Sequence, residues 1–171
     1  MLKGIGALCV MLGASVMGFG YAAAVRRQGT RLAALIGSLT YMKGEIEYRR
    51  TPLPEVFLLL ADSAAEKCVG RFWQHCAEAL ARGTGFGVQS AFRAAMRKSA
   101  LELPPEAVQT MLVLGTSLGQ FGLEGQERAI ALSIERLAAL LERLEQGRAA
   151  RCRSYATIGV CAGLAVAVIL L

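Results

Sequence analysis

The sequence predicts an all-α protein, in which a six-helix antiparallel cytoplasmic bundle is flanked by two transmembrane helices. Two stretches carry no charged residue, 4–25 and 154–171, and they contain 22 and 18 residues. A hydrocarbon core of about 30 Å needs about 20 apolar helical residues, so both stretches are long enough to span it. Between them, residues 26–153 repeat apolar side chains at helical steps without sustained strand-like alternation. We therefore expect one helical domain between two membrane anchors.

Basic residues set the expected orientation. Lys3 is the only basic residue at the outer end of either apolar stretch. The inner ends of the two stretches carry six arginines: Arg26, Arg27, Arg31, Arg148, Arg151 and Arg153. The positive-inside rule then places the middle domain in the cytoplasm and both termini across the membrane. These arginines account for much of the net charge of +6, and no basic stripe is interleaved with aromatic residues. We therefore expect no nucleic-acid partner.

The first apolar stretch could instead be a cleaved signal peptide, since residues 22–24 are three alanines. Its uncharged run is longer than the apolar core of a signal peptide, and its basic residues follow the run instead of preceding it. A retained anchor is the favoured interpretation.

The first cytoplasmic helix is predicted from apolar residues at steps of 3, 4, 3 and 4, namely Leu32, Leu35, Leu39, Met42 and Ile46. It continues from the first apolar stretch and ends near Arg50. Thr51 is the expected N-cap of the second helix, with Pro52 at its first position and Glu55 in its first turn.

Four further helices follow, each with its own apolar face. The predicted faces are Phe57, Leu60, Ala61 and Ala64; Val69, Phe72, Trp73, Cys76 and Leu80; Ala91, Phe92, Ala95 and Met96; and Val108, Met111, Leu112 and Gly115. The last helix is expected from Gln126, after a loop at residues 121–125, with a seam of Ile130, Ile134, Leu137, Leu141 and Leu144.

The two long helices lead into the two anchors. Residues 26–50 would span about 38 Å and residues 126–153 about 42 Å at the helical rise. Both leave the same membrane face, so they are expected to pack antiparallel. Residues 45–55 would then form a charged corner at the membrane-distal end, beside the turn at residues 119–125.

No catalytic, cofactor-binding or metal-binding residue is predicted. The single histidine, His75, lacks the spacing to Cys68 and Cys76 that a zinc site needs. A cytoplasmic location makes a disulfide between these two cysteines unfavourable. The loop Gly83–Gly87 has no following Lys-Ser/Thr and is interpreted as a helix–helix turn. For Glu45 and Glu47, a solvated charged corner is favoured over acid–base catalysis.

Four segments together resemble one protein family. They are GFGYA at 18–22, GEIEY and TPLPEV within 42–56, SLGQFGLEGQ at 117–126, and the tail at 153–171. In this order and spacing the chain resembles stage III sporulation protein AB of endospore-forming bacteria, over essentially its whole length. That family is similar in its cytoplasmic part to the platform proteins of type II secretion and type IV pilus machines.

The resemblance implies a non-enzymatic platform in the channel complex that joins mother cell and forespore. It implies a location in the mother-cell membrane facing the forespore. The implied partners are a secretion-type ATPase of the same operon, stage III sporulation protein AA, and other membrane proteins of the complex. A homo-oligomer is left open. The alternatives are a small membrane-bound enzyme and a tail-anchored regulatory protein.

A cytoplasmic ATPase would meet the membrane-distal corner first. Its charged residues are therefore the predicted partner contact: Glu45, Glu47, Arg49, Arg50 and Glu55. Charged rims steer docking through the association rate. The alternative is that the corner is simply a solvated turn.

Overall fold

The computed structural model describes residues 26–82, 87–120 and 122–170, with side chains as far as residue 147. Those residues form six helices and no strand, which confirms the all-α prediction. The helices are α1 (residues 26–44, continued by a π turn at Glu45–Arg49), α2 (Leu53–Ser63), α3 (Lys67–Ala81), α4 (Val88–Lys98), α5 (Pro105–Gln120) and α6 (Leu123–Leu170).

Contacts divide the chain into two compact units. One unit is Arg27–Leu141, which contains α1 to α5 and the first part of α6. The other unit combines Met1–Arg26 with Glu142–Leu171, and its described portion is Arg26 and the rest of α6. The hydrophobic core and the sites considered below belong to the Arg27–Leu141 unit.

The predicted seam of α1 is confirmed. Leu32, Leu35, Leu39 and Met42 are fully buried, and Ile46 is 3% exposed. A buried leucine or methionine side chain contributes about 1.5–3 kcal/mol relative to an exposed one. This stripe therefore provides the main contribution of α1 to the core.

An aromatic cluster joins α2, α3 and α4. Phe57, Phe72, Trp73 and Phe92 are all fully buried. Their ring centroids lie 4.8–5.8 Å apart, mostly edge to face. Such pairs add about 0.5–1.5 kcal/mol each beyond the area that they bury. The cluster fixes the three short helices against one another.

Helix α5 packs on this cluster through a glycine. A Cβ placed on Gly115 would meet Cγ of Phe92 at 2.9 Å, so the backbone of α5 lies directly against the ring. This close approach sets the register of α5. The predicted face was partly wrong, because Ala107, Met111, Leu114 and Leu118 are buried with Gly115, whereas Val108 and Leu112 are only half-buried.

Helix α6 starts earlier than predicted. The expected loop at residues 121–125 is shorter, because α6 begins at Leu123 and the backbone N–H of Gln126 already donates to the carbonyl of Gly122. Ile130 and Leu137 of the predicted seam are fully buried. Ser133 and Leu140 are buried with them, while Ile134 and Leu141 are half-buried. The buried stripe is thus rotated by a fraction of a turn from the predicted one.

Arg31 clamps the connection between α4 and α5. Ala100 and Glu102 have positive φ angles of 48° and 46°, which non-glycine residues rarely adopt. Between them, Leu101 is 2% exposed. The Arg31 guanidinium donates to the Leu101 carbonyl at 2.9 Å and to the Glu102 carboxylate at 2.7 Å. The buried leucine and these two bonds hold the strained connection against α1.

The first predicted membrane segment, residues 4–25, lies outside the described residues, as do the side chains of the second. No helix within the described residues has an apolar stretch of sufficient length to cross a membrane. The glycine-rich loop at residues 83–86 also lies outside the described residues.

The buried position of Leu137 gives the first prediction. Leu137→Asp should lower the free energy of unfolding by roughly 3–5 kcal/mol, because it leaves an unpaired charge in the core. Arg136→Asp, at the exposed neighbouring position, should change it by less than about 0.5 kcal/mol. Chemical denaturation of the full chain in detergent micelles measures both values. Equal denaturation midpoints would show that Leu137 is not part of the core.

The Arg31 clamp predicts a small dependence of stability on pH. The hydrogen bond and the charge of Arg31 lower the pKa of Glu102 below its ordinary value of 4.5, with a smaller contribution from the charge of Arg27. A carboxyl group with a lowered pKa in the folded state stabilises the fold above its ordinary pKa. That contribution is lost as the pH falls through the lowered value.

Glu102→Gln should therefore lose less stability than the native chain between pH 7 and pH 3, and the difference should shrink in high salt. Denaturation at a series of pH values measures it. The effect is small, because 70% of the Glu102 side chain is exposed to solvent. Parallel pH curves for the two proteins would contradict the role of this ion pair.

Candidate partner-binding corner at the end of α1

The corner, residues 45–55, begins where α1 widens into the π turn Glu45–Arg49. Arg50 then takes a left-handed conformation with φ 51° and ψ 34°. The backbone N–H groups of Arg50 and Thr51 both donate to the Glu45 carbonyl. These bonds close the end of the helix, and Pro52 starts the next one. Turns of the π type are often found at functional sites.

Glu45 lies inside the corner instead of on its surface. Its relative exposure is 6%. The hydroxyl of Thr51 donates to its Oε2 at 3.2 Å, and Nη1 of Arg49 lies 3.4 Å from its Oε1. These two groups compensate for the burial of the carboxylate, which would otherwise be costly. The expectation that the Glu45 side chain is solvated is therefore wrong, because its carboxylate is used within the turn.

The role predicted for Thr51 was also wrong. Its side chain makes no capping bond to α2 and is directed to Glu45. Pro52 is the N-cap, and its carbonyl accepts from the N–H groups of Glu55 and Val56. Thr51 therefore stabilises the end of α1 through its bond to Glu45 and does not cap α2.

The other four predicted contact residues face solvent. Glu47, Arg49, Arg50 and Glu55 are all exposed, and the Arg49 side chain retains 72% of its accessible area. They carry two positive and two negative charges within nine positions. Such a mixed surface can pair with a partner of complementary charge pattern, which affects the association rate more than the affinity.

Tyr48 is a candidate contact residue that the sequence analysis did not identify. It is 81% exposed, the highest value among the exposed large hydrophobic side chains of the described residues. It lies between Glu47 and Arg49, two residues past the last seam residue, Ile46. Tyrosine is enriched among residues that dominate binding energy, because it combines a rigid apolar ring with a polar hydroxyl. The sequence could have indicated its exposure, because Tyr48 does not fall on the apolar seam of α1.

Glu47 also lines a groove between α1 and α6. The groove has a volume of about 390 Å³ and is lined by Lys43, Glu47, Glu124, Glu127, Arg128 and Ala131. The expectation that the turn at residues 119–125 lies beside the corner agrees with this arrangement. The individual α6 residues were not predicted. The corner and the start of α6 therefore form one continuous polar surface.

The chemistry of this surface suits docking better than catalysis. Its carboxylates alternate with Lys43 and Arg128, and the described residues include no group of three side chains that could hold a metal ion. His75 lies on α3, where its Nδ1 is 3.5 Å from Oε2 of Glu78.

Cys68 and Cys76 are the two cysteines whose side chains the structure describes, and both are buried free thiols. Burial raises the pKa of the Cys76 thiol well above its ordinary value. The Cys76 sulfur is consequently kept protonated and is a poor nucleophile.

A second, larger cleft lies along α1. It has a volume of about 470 Å³, and its lining includes Ala33, Ala34, Gly37, Ser63 and Glu66. The lining also includes Ala65 and the polar side chains of Thr30, Ser38 and Tyr41, and Glu66 is its only carboxylate. These residues include no basic side chain that could form an acid–base pair with Glu66.

Comparison with known proteins agrees with the resemblance found in the sequence. The family model described as "Stage III sporulation protein AB" matches residues 3–171. A solved structure titled "Stage III sporulation protein AB (SpoIIIAB)" is similar in fold, with a TM-score of 0.66 at 21% sequence identity. The similarity covers 72% of this chain and 98% of the solved one. Comparison with curated proteins gave no match.

The family match extends over nearly the whole chain, from residue 3 to residue 171. The chain therefore belongs to the stage III sporulation protein AB family.

Proposed function

We propose that the chain is a non-enzymatic membrane platform in the complex between mother cell and forespore. Membership of the family makes it a component of the sporulation machinery. Residues 4–25 and 154–171 are the proposed transmembrane anchors, because each lacks charged residues and is flanked on its inner side by arginines. The helical bundle between them lies on the cytoplasmic side of the mother-cell membrane.

The proposed partner of the bundle is the secretion-type ATPase of the same operon, stage III sporulation protein AA. Membrane proteins of the same channel complex are further partners. The platform would transmit the position or motion of the ATPase to the channel. The similarity of the family to the platform proteins of type II secretion machines supports this assignment.

The corner is the proposed contact for the ATPase. The observation that carries this proposal is the exposure of Tyr48, at 81%, among four exposed charges. The aromatic ring would provide the anchor, while Glu47, Arg49, Arg50 and Glu55 would provide steering and specificity. Glu45 acts indirectly, because its bonds to Thr51 and Arg49 fix the turn on which Tyr48 stands.

The anchors predict a defined topology. A membrane-impermeant thiol reagent should label a cysteine added after Leu171, and it should not label a cysteine at Gly85 in intact cells. Both cysteine variants are made in a chain that lacks the five native cysteines. Labelling at Gly85 without labelling at the C-terminus would reverse the proposed orientation.

The corner predicts a charge-dependent association. Glu47→Lys combined with Glu55→Lys should weaken ATPase binding and change its dependence on salt, because rim charges govern the association rate. Tyr48→Ala should raise the dissociation rate by about tenfold or more, as expected for a buried aromatic anchor. Binding of the full chain in detergent micelles to the immobilised ATPase measures both rates.

Glu135→Lys provides the matched control for the corner variants, since Glu135 is exposed on α6 away from the corner. It should leave both rates within about twofold of the native values. Circular dichroism checks that all of the variants are folded. Native binding by the Tyr48 variant at low salt would place the ATPase contact elsewhere on the chain.

A further inference from the structure

Positive charge is concentrated on α3 with the adjoining Arg82 and on α4, residues 67–82 and 87–98, which we call the basic hairpin. It contains one acid, Glu78, and six cations: Lys67, Arg71, Arg82, Arg93, Arg97 and Lys98. Six cations and one acid give +5. The rest of the Arg27–Leu141 unit has seven cations and ten acids, which give −3. The unit thus carries +2 of the chain's net charge of +6, and the remaining +4 lies in the flanking residues 1–26 and 142–171, in agreement with the interpretation of the sequence.

The six cations are exposed. Arg82 lies 3.3 Å from the carboxylate of Glu78. The other five make no ion pair or side-chain hydrogen bond with another described residue. Lys67 and Arg71 are one turn apart on α3, and Arg93 and Arg97 are one turn apart on α4. The hairpin thus presents unpaired positive charge on both of its helices.

Helix α4 adds a shaped recess to this charge. Gln89, Ser90, Arg93, Ala94 and Arg97 line a depression of about 210 Å³. Its rim carries two guanidinium groups, and α4 has no acidic residue to neutralise them. Guanidinium groups bind carboxylates through paired hydrogen bonds, which an ammonium group cannot match in geometry. The depression has room for one or two acidic side chains.

We propose that the basic hairpin is a second docking surface, which binds an acidic protein segment whose carboxylates are spaced one helical turn apart. Two such carboxylates would lie against Arg93 and Arg97, with the amide of Gln89 as a polar neighbour, whereas the Ser90 hydroxyl already donates to the Gly87 carbonyl. The proposal is independent of the ATPase contact at the corner, since the hairpin and the corner share no residue.

Three features favour a protein partner over other polyanions. Neither α3 nor α4 has an exposed large hydrophobic side chain that could insert among lipid chains. Neither helix has an exposed aromatic ring on which a base could stack. Arginine predominates over lysine by four to two on the hairpin. Arginine is enriched and lysine depleted at protein interfaces.

The test uses the full chain in neutral detergent micelles and a fluorescein-labelled helical peptide with glutamates at every fourth position. Fluorescence anisotropy measures the affinity in low and high salt. Arg93→Glu combined with Arg97→Glu should weaken binding by about tenfold or more, because each charge reversal replaces attraction by repulsion. The matched control is Arg136→Glu with Arg143→Glu, which makes the same change in net charge at two exposed positions of α6 outside the groove. It should weaken binding by less than about twofold.

A peptide with glutamine at the same positions should bind at least about tenfold more weakly than the glutamate peptide. Arg93→Gln with Arg97→Gln provides a milder variant if charge reversal impairs folding, as monitored by circular dichroism. Equal losses in the hairpin and control variants would overturn the proposal, because net charge alone would then explain binding. No measurable binding of the glutamate peptide would also overturn it. Tighter hairpin-dependent binding to phosphatidylglycerol vesicles or duplex RNA would assign the surface to those ligands instead.

Discussion

The contact between Phe92 and the backbone of α5 at Gly115 is the constraint on which the rest of the bundle depends. Phe92 also packs against Phe57, Phe72 and Trp73, so this single ring connects α2, α3, α4 and α5. Because interiors are packed as densely as crystals, such a junction fixes the rotation of each helix about its axis. With α4 fixed in this way, Arg93 and Arg97 face outward. With α2 fixed through Phe57, the chain must turn back sharply at the corner.

At the corner, the buried carboxylate of Glu45 fixes the conformation of an exposed turn. A carboxylate placed beside Ile46 would destabilise the bundle if it were unpaired, and the bonds from Thr51 and Arg49 remove most of that cost. The same bonds restrict the π turn to one conformation, which leaves Tyr48 exposed. Binding of a partner at the proposed contact would then cost less conformational entropy, because the turn is already ordered. Glu45 therefore fixes from the buried side the turn that exposes Tyr48.

Periodicity predicted the helices well, because burial follows the helical repeat wherever a long apolar stripe packs on the core. The α1 seam from Leu32 to Ile46 is the clearest example. The prediction failed where one specific contact overrides the average pattern. Gly115 shifts the face of α5 by its approach to Phe92, and Glu45 is buried although it is charged. Glu45 lies three residues after Met42, on the buried side of the helix. Its position in the helical repeat therefore indicated burial, whereas its charge favoured the prediction of a solvated side chain. The groove that Glu47 lines together with α6 residues could be found only from the tertiary structure.

The two proposed surfaces differ in the physics of their recognition. The corner combines opposite charges with one exposed aromatic ring, so its contribution to affinity should come chiefly from burial of Tyr48, with the charges selecting the partner. The basic hairpin has unpaired charge of one sign and no large exposed apolar group, so its binding should be fast, weak and sensitive to salt. A platform that holds one partner firmly while it exchanges another would need surfaces of these two kinds. The two surfaces stand on one packed core, because Phe57 of α2 stacks on Trp73 of α3 at a centroid distance of 5.4 Å.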